Sequence, residues 1–232
     1  MNRVHRILNG ATREGRTVLL EHEAKRICNS YKIKTPRFHL AHTDAEAAQM
    51  ARHLGFPVVL KIVSPDIVHK SDFSCVIIGL MNSSKVKHAF QEIMRNAKHR
   101  CPNARLWGVL VEKMQPSGTE VIVGGFKDPQ FGLTLMFGLG GVFVEIFEDV
   151  SFRVAPLTER SARHMIREIK GYVILRGVRG KGPVDEISLV KILLASSKLM
   201  SDNPRISAID LNPILVYERG AIAVDARMTL AA

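Results

Sequence analysis

The sequence has few cysteines, few aromatic residues and no long apolar run, and each shortage excludes a class of protein. Its three cysteines are widely spaced and lie outside any C-x-x-C pattern, so they predict neither a disulfide framework nor a zinc site and fit a reducing cytoplasm. The most apolar stretch, 133–144, contains three glycines and is too short to span a bilayer. The first ten residues are mixed and basic, so we expect no secretory signal and no membrane association.

The charge balance is strongly positive, +11 at pH 7, from 33 Lys and Arg against 22 Asp and Glu. Such an excess attracts anions in general, including nucleotides, coenzyme A and nucleic acid. One tryptophan and three tyrosines offer little stacking surface for bases, and the basic residues are scattered. The composition therefore predicts an anionic partner and disfavours a nucleic-acid-binding module.

Apolar periodicity predicts an α+β chain of two lobes. Up to residue 105 helices alternate with short strands, and from residue 106 short strands separated by Gly, Pro or Asp turns dominate. The predicted helices span 14–31, 44–54, 83–99, 158–171 and 185–200. We place the joint near 112–116, which gives a domain 1–111, with the N-terminal helix and first lobe, and a domain 112–232, the second lobe.

The stretch from Val58 to Asp72 combines an apolar strand with a polar loop. Lys61 interrupts the β-branched run, so its ammonium must lose its charge, reach water or meet an anion. Pro65 ends the strand, and His69 follows in the loop. Because neutral imidazole accepts and releases phosphoryl groups, the stretch suggests phosphate chemistry. A lysine reaching water, followed by a solvated loop, explains it equally well.

The C-terminal hairpin brings oxygen-bearing side chains together. Asp210 and Asn212 are two residues apart and therefore point to one face of their strand. Counting back from the hairpin turn, Asn212 falls within a residue of lying opposite Asp225. Oxygen ligands suit Mg²⁺, which proteins usually hold through one or two carboxylates and the phosphates of a substrate. The alternative is a simple bend before Pro213.

Weaker signals lie between these two stretches. Residues 137–141, Phe-Gly-Leu-Gly-Gly, could present backbone N–H groups to an anion, but a tight turn explains them more simply. Arg153 projects from a strand on the side opposite Phe152 and Val154, where it could clamp phosphate or form a surface salt bridge. Glu112 and Glu120 flank the joint, where each could contact a nucleotide or only water.

Seven segments, in order along the chain, resemble the ATP-grasp β subunits of ADP-forming acetyl-CoA (acyl-CoA) synthetases, relatives of the succinyl-CoA synthetase β subunit. The resemblance covers nearly the whole chain, from about residue 12 to residue 228. The resemblance implies an ATP-grasp fold in which two α+β lobes close on a nucleotide. It implies reversible phosphoryl transfer between a phosphohistidine and ADP, which couples acyl-CoA cleavage to ATP formation. The matching segments are 60–72, 128–132, 137–141, 149–160, 177–180, 210–213 and 224–227.

The resemblance also implies roles for individual residues, with ATP or ADP and Mg²⁺ as ligands. His69 is the phosphoryl acceptor, and Asp210 belongs to the phosphohistidine environment. The nucleotide contacts that it implies are Lys61 and Arg153 at the phosphates, Glu112, Lys113 and Met114 at the adenine edge, and Glu120 at the ribose, with Gly138, Gly140 and Gly141 as further candidates. Asn212 and Asp225 are the implied Mg²⁺ ligands.

The coenzyme A chemistry is expected on a second polypeptide, since no dinucleotide-type glycine fingerprint follows a strand here. The resemblance implies an α subunit that carries the coenzyme A-binding domains and the first phosphohistidine, in an α2β2 hetero-oligomer. One departure concerns the loop: the family usually continues Val-Gly-Gly after Asp72, whereas this chain has Phe73-Ser74-Cys75. Two alternatives therefore stay open, an ATP-grasp carboxylate ligase without a phosphohistidine relay and a non-catalytic nucleotide-sensing subunit.

Overall fold

The computed structural model describes residues 3–67, 73–141, 149–178, 180 and 182–231. Its helices are α1 (Arg3–Arg13), α2 (Glu21–Ser30), α3 (Asp44–Leu54), α4 (Ser83–Arg100), α5 (Glu159–Glu168), α6 (Tyr172–Leu175) and α7 (Glu186–Asp202). Its strands are β1 (Phe38–Ala41), β2 (Val58–Val63), β3 (Val76–Leu80), β4 (Gly108–Lys113), β5 (Thr119–Asp128), β6 (Gly132–Leu139), β7 (Val150–Val154), β8 (Ile206–Val216), β9 (Ala221–Ala223) and β10 (Arg227–Leu230).

The chain divides into two compact units. The larger unit contains Met1–Leu19, Glu23–Thr35 and Ser117–Ala232, and the smaller unit contains Leu20–His22 and Pro36–Pro116. The sequence-based division grouped the N-terminal helix with residues up to 111, and the structure divides the chain differently. The reason is that the apolar faces of α1 and α2 pack into the same hydrophobic core as β5, β6 and β8.

The smaller unit is a four-stranded sheet, ordered β1-β4-β2-β3, with α3 and α4 packed on it. Strand β2 pairs on both sides and each of its residues is buried, as its apolar run predicts. Two side chains cap the N-termini of α3 and α4, which begin where the sequence predicts. Thr43 accepts a hydrogen bond from the N–H of Glu46, and Asn82 accepts one from the N–H of Lys85.

The larger unit is built on a six-stranded antiparallel sheet in which β10, β8, β5, β6 and β7 lie side by side and β9 pairs with β8. Helices α5 and α7 pack against one face of this sheet. Side chains on that face alternate with those on the other face, which carries Gly124, Phe126, Phe152 and Asp210. We call this second side the open face, because Phe126 and Phe152 are exposed on it.

Two predicted elements differ in the structure. The helix predicted over 14–31 is shorter in the structure and begins only at Glu21, because Gly15 adopts a left-handed φ of +65° that is not helical. A separate helix, α1, precedes it and was not predicted. The strands predicted at 206–211 and 214–217 are one strand, β8, with a register shift. A predicted strand at 142–147 lies outside the described residues. Within those described, no helix has the length and apolarity needed to cross a bilayer.

Candidate functional site

The middle of β8 and the segment between β9 and β10 carry the three oxygen-bearing side chains named by the hairpin prediction. Asp210 pairs with Arg227 of β10, and Ile214 pairs with Ala223 of β9 in the same register. Continuing that register between the two pairings sets Asn212 opposite Asp225. The register of β8 against β5 shifts here, so that Asn212 and Pro213 both lie opposite Ile122. Since Ile209 and Leu211 are buried under the helices, Asp210 and Asn212 project from the open face.

The charges near Asp210 are those of one arginine and one further carboxylate. Burial raises the pKa of the Asp210 carboxyl above its usual value, Arg227 lowers it, and the charge of Asp225 raises it again. The influence of Asp225 means that two carboxylates repel each other at this position. A divalent cation between them would relieve this repulsion.

The donor set fits Mg²⁺ as a hard cation, because it consists of carboxylate and amide oxygens. Among the described residues, no group of three or more His, Cys, Asp or Glu side chains is arranged to enclose a metal ion by itself. Protein oxygens alone therefore do not complete a coordination sphere in this part of the chain. Such an incomplete set is typical of sites where the phosphates of a nucleotide supply the other ligands.

Lys61 lies in a buried ionic cluster in the smaller unit. Its Nζ is 2.8 Å from Oε1 of Glu21, at the start of α2, and 3.5 Å from Oε1 of Glu112 in β4. All three side chains are at most 8% exposed. Of the three outcomes that the sequence allows for this lysine, the structure shows that it meets an anion, and the anions are two carboxylates. Its predicted contact with ATP phosphates stays a prediction.

The predicted adenine edge, Glu112 to Met114, lies at the end of β4. The polar groups of Lys113 and the N–H of Met114 already form hydrogen bonds within the smaller unit. The N–H of Lys113 donates to the carbonyl of Arg37. The Lys113 ammonium donates to the carbonyls of Gly55 and Phe56, at 3.0 and 2.7 Å. The N–H of Met114 donates to a carbonyl as well, that of Pro57, at 3.1 Å. A base bound here must therefore compete with hydrogen bonds that the unit makes internally.

Glu120 and the glycine-rich turn are neighbours in the larger unit. The N–H of Gly140 donates to the carbonyl of Glu120 at 2.8 Å. A Cβ on Gly140 would lie 2.9 Å from the Cβ of Glu120, so this close approach requires glycine. Gly138 lies within β6 and pairs on both sides, and Gly141 adopts a φ of +64°. The structure thus brings Glu120 and the turn together, but the Gly140 N–H already has an acceptor.

Arg153 lies on the helix-covered side of the sheet, away from Asp210 and Asn212. It pairs with Leu135, a fully buried core residue, whereas Phe152 lies on the open face. Its guanidinium forms an ion pair with Glu168 of α5 and also donates to the carbonyl of Phe152 at 2.7 Å. Because successive strand residues point to opposite faces, the structure does not bring Arg153 together with the three oxygens. Arg153 thus forms a salt bridge with Glu168, and its predicted contact with the ATP phosphates stays a prediction.

Two further residues concern the site: His69, which the sequence predicts, and Glu21, which it does not. His69 lies outside the described residues, so its role as phosphoryl acceptor stays a prediction. Glu21, which contacts Lys61 directly, was not anticipated from the sequence. It is 40 positions away from Lys61, and the only available signal was an acidic residue near the start of a helix.

Comparison with known proteins agrees with this architecture. A model of the ATP-grasp domain matches residues 10–230. The β subunit of the ADP-forming acetate–CoA ligase I of Pyrococcus furiosus is 51% identical, over 97% of this chain and 96% of its own length.

Solved structures show the same relationship. An acetyl-coenzyme A synthetase 1 from Ca. Korarchaeum cryptofilum, in complex with coenzyme A and Ca-AMPCP, superposes with a TM-score of 0.96 and 48% identity, over 97% of this chain and 99% of the other. Another structure of that synthetase contains Mg-AMPPCP, with a phosphohistidine segment pointing towards the nucleotide binding site. It superposes with a TM-score of 0.87 and 45% identity, over 98% of this chain and all of the other. The chain therefore belongs to the ATP-grasp family and, within it, groups with the β subunits of ADP-forming acetate–CoA ligases.

Proposed function

We propose that this chain is the nucleotide-binding β subunit of an ADP-forming acyl-CoA synthetase and that it moves a phosphoryl group reversibly between His69 and ADP. The observation that carries the proposal is the convergence of Asp210, Asn212 and Asp225 on the open face of the larger sheet. This is the arrangement expected where a nucleotide phosphate and a divalent ion bind together. Family membership supplies the reaction class.

Asn212 and Asp225 would hold Mg²⁺, with Asp210 beside them. When bound, the ion neutralises charge on the nucleotide phosphates. Asp210 borders the same patch, and burial raises the pKa of its carboxyl above the ordinary aspartate value. Glu120, at the glycine-rich turn on the same strand as Gly124, would contact the nucleotide sugar.

The proposed reaction is a phosphoryl transfer, which needs no oxidant or reductant. In the ATP-forming direction the P–N bond of phosphorylated His69 breaks, and a terminal phosphate oxygen of ADP forms the new P–O bond. The imidazole leaves with the electron pair of the broken bond and then takes up a proton. In the reverse direction the neutral imidazole attacks the γ-phosphorus of ATP, and ADP leaves.

An α subunit would supply the acyl-CoA chemistry and the first phosphohistidine. The support is that a close relative is named as a β subunit, and that the relative in which a phosphohistidine segment points to the nucleotide site contains coenzyme A. We propose an α2β2 assembly for the complete enzyme. Acyl-CoA, phosphate and ADP would then give acid, coenzyme A and ATP.

The test is an assay of ATP formation by the chain co-purified with its α subunit. We expect ATP to form only when acyl-CoA, phosphate, ADP and Mg²⁺ are all present. His69→Ala should abolish this activity while nucleotide binding is kept. Activity that survives in His69→Ala would indicate an ATP-grasp ligase without the relay. Nucleotide binding by the wild-type complex with no ATP formation from any acyl-CoA would indicate a sensing subunit. Either result contradicts the proposal.

A further inference from the structure

Arg227 is a basic residue on the open face of the larger sheet. It ends the segment 224–227, which resembles the synthetase β subunits, but the resemblance implies no role for it. In the edge strand β10 it pairs with Asp210 of β8. Its neighbours in sequence, Ala226 and Met228, are buried in the hydrophobic core, so the half-buried side chain of Arg227 projects from the opposite side of the strand.

Two observations place the guanidinium of Arg227 beside the candidate metal site. Directly paired residues of an antiparallel sheet share a face, so Arg227 and Asp210 are side by side. The charge of Arg227 also lowers the pKa of the Asp210 carboxyl, which shows that the two groups are close enough to interact. Asp225, two residues before Arg227, is set opposite Asn212 by the same register. The arginine is therefore a neighbour of the oxygen ligands proposed for Mg²⁺.

The pairing also shows where positive charge lies on this face. Two rows of side chains cross β10, β8, β5, β6 and β7, and within these rows Arg227 is the one basic residue. Lys127 and Arg153 belong to the same strands but point to the helix-covered side. The first row is Arg227, Asp210, Gly124, Met136 and Phe152, and the second is Thr229, Ala208, Phe126, Thr134 and Val154.

The order of residues along β5 indicates which phosphate lies near Arg227. Glu120, predicted to contact the nucleotide sugar, is four residues before Gly124, which pairs with Asp210. A strand rises by about 3.4 Å per residue, so these two positions are about 13 Å apart, with the row of Asn212 between them. A nucleotide that has its sugar at Glu120 and its metal-bound phosphates near Asn212 extends its terminal phosphate towards Arg227.

The charges of the patch suit this position. Asp210, Asp225 and Arg227 together carry one net negative charge, which a bound Mg²⁺ would change to one net positive charge. Without the arginine the same patch would be neutral with Mg²⁺, and its attraction for a polyphosphate would be weaker. A planar guanidinium can also donate two parallel hydrogen bonds to a phosphate, which an ammonium cannot do.

We propose that Arg227 binds the γ-phosphate of ATP, the phosphoryl group that the reaction transfers. A guanidinium at this position would also stabilise the charge that develops on the phosphoryl group during transfer. The inference rests on the proposed function, because it uses the sugar and metal positions given there. It adds a residue that touches the substrate, and every residue on which it depends belongs to the larger unit.

The experiment compares the affinities of the full chain for Mg-ADP and for Mg-AMPPCP, a non-hydrolysable analogue of ATP, by calorimetric titration. Arg227→Ala should weaken AMPPCP binding by at least about tenfold, the effect of losing hydrogen bonds between charged groups. ADP has no γ-phosphate, so its affinity should stay within about twofold of wild type. Arg227→Lys keeps the charge but not the planar fork and should weaken AMPPCP binding by about threefold. Arg160→Ala, which removes an exposed arginine of α5, is the matched control and should bind both nucleotides as wild type does.

A second background separates phosphate binding from neutralisation of Asp210. In Asp210→Asn the carboxylate is absent, so an arginine that only balances its charge would no longer affect binding. We expect Arg227→Ala to weaken AMPPCP binding in this background by the same factor, to within about twofold. Equal losses for ADP and AMPPCP, or a loss that disappears in Asp210→Asn, would overturn the inference.

Melting temperatures of the same preparations show whether each variant is folded. If Arg227→Ala does not fold, Arg227→Lys carries the test, and an unchanged ratio of its two affinities would overturn the inference as well. Failure of the wild-type chain to bind either nucleotide with Mg²⁺ would instead count against the proposed function.

Discussion

The two units place their charged candidate residues in opposite situations. In the smaller unit, Lys61 is buried with Glu21 and Glu112, so that one ammonium pairs with two carboxylates inside the protein. In the larger unit, Asp210 and Asp225 lie on an open sheet face and repel each other. The first cluster pairs opposite charges, whereas in the second a cation would relieve the repulsion between two carboxylates.

This difference indicates what each cluster does for the fold and for the chemistry. A buried ion pair is costly to break, because removing one partner leaves an unpaired charge in a medium of low polarity. Partly solvated carboxylates on an open face cost little and can be altered without unfolding. We therefore expect changes at Lys61 to act mainly on stability and changes at Asp225 mainly on ligand binding.

The largest effect is expected at Lys61. Lys61→Met should lower the free energy of unfolding by about 3–5 kcal/mol, because it removes a buried ammonium that pairs with two buried carboxylates. Urea denaturation at neutral pH measures this. Lys87→Met, which removes an exposed lysine of α4, is the control and should change stability by less than about 0.5 kcal/mol. A Lys61→Met variant as stable as the control would show that the buried cluster does not hold the unit together.

The next effect is expected at Asp225. Asp225→Ala should weaken Mg²⁺-dependent binding of ADP by at least about tenfold, since a carboxylate ligand is lost, and should leave the unliganded chain about as stable as wild type. Calorimetric titration with ADP, with and without Mg²⁺, separates the two contributions. Glu92→Gln, an exposed acid of α4, serves as the control. An unchanged affinity of Asp225→Ala for ADP in the presence of Mg²⁺ would show that the metal ion does not bind at this face.

The convergence of Asp210, Asn212 and Asp225 could be predicted because it depends on local rules, the two-residue alternation of a strand and the register of a hairpin. The surroundings of Lys61 could not. Its strand follows from the sequence, and contact with an anion was one of three outcomes that the sequence allows, but Glu21 reaches it only through tertiary packing. The orientation of Arg153 relative to Phe152 was predicted. Which of those two sides the helices cover depends on the packing of α5, and no spacing within the strand indicates it.

A smaller effect, which depends on pH, is expected at Asp210. Its pKa is raised in the folded chain, mainly by burial, so ionisation opposes folding. The stability associated with this group is fully present below the ordinary aspartate pKa of about 3.9 and is lost as the pH rises through the higher folded value. Asp210→Asn should therefore raise the melting temperature of the unliganded chain at pH 7 and change it less at pH 4. The expected gain is below about 1 kcal/mol.

Comparing melting curves of wild type and Asp210→Asn from pH 4 to pH 8 checks this sign. A variant less stable than wild type at pH 7 would show that the carboxylate is stabilised in the folded chain. It would also weaken the contrast between the paired charges around Lys61 and the repelling carboxylates of Asp210 and Asp225.

The smallest effect is expected at Arg153. Arg153→Ala removes a partly exposed ion pair with Glu168, which should cost a few tenths of a kcal/mol. Because Arg153 projects from the side of the sheet opposite Asp210, affinity for Mg²⁺ and ADP should stay within about twofold of wild type. Lys198→Ala, which breaks the exposed pair with Asp202 on α7, is a matched control. A tenfold loss of affinity in Arg153→Ala alone would show that the arginine leaves Glu168 and binds phosphate.

The most direct test of the account locates the phosphoryl group on the chain. The full chain is incubated with labelled ATP and Mg²⁺, and the modified residue is identified by mass spectrometry under alkaline conditions that preserve phosphohistidine. We predict label on His69 in the wild-type chain, none in His69→Ala, a strong decrease in Asp225→Ala and normal labelling in Glu92→Gln. Label on another residue, or equal labelling of Asp225→Ala and wild type, would contradict the account.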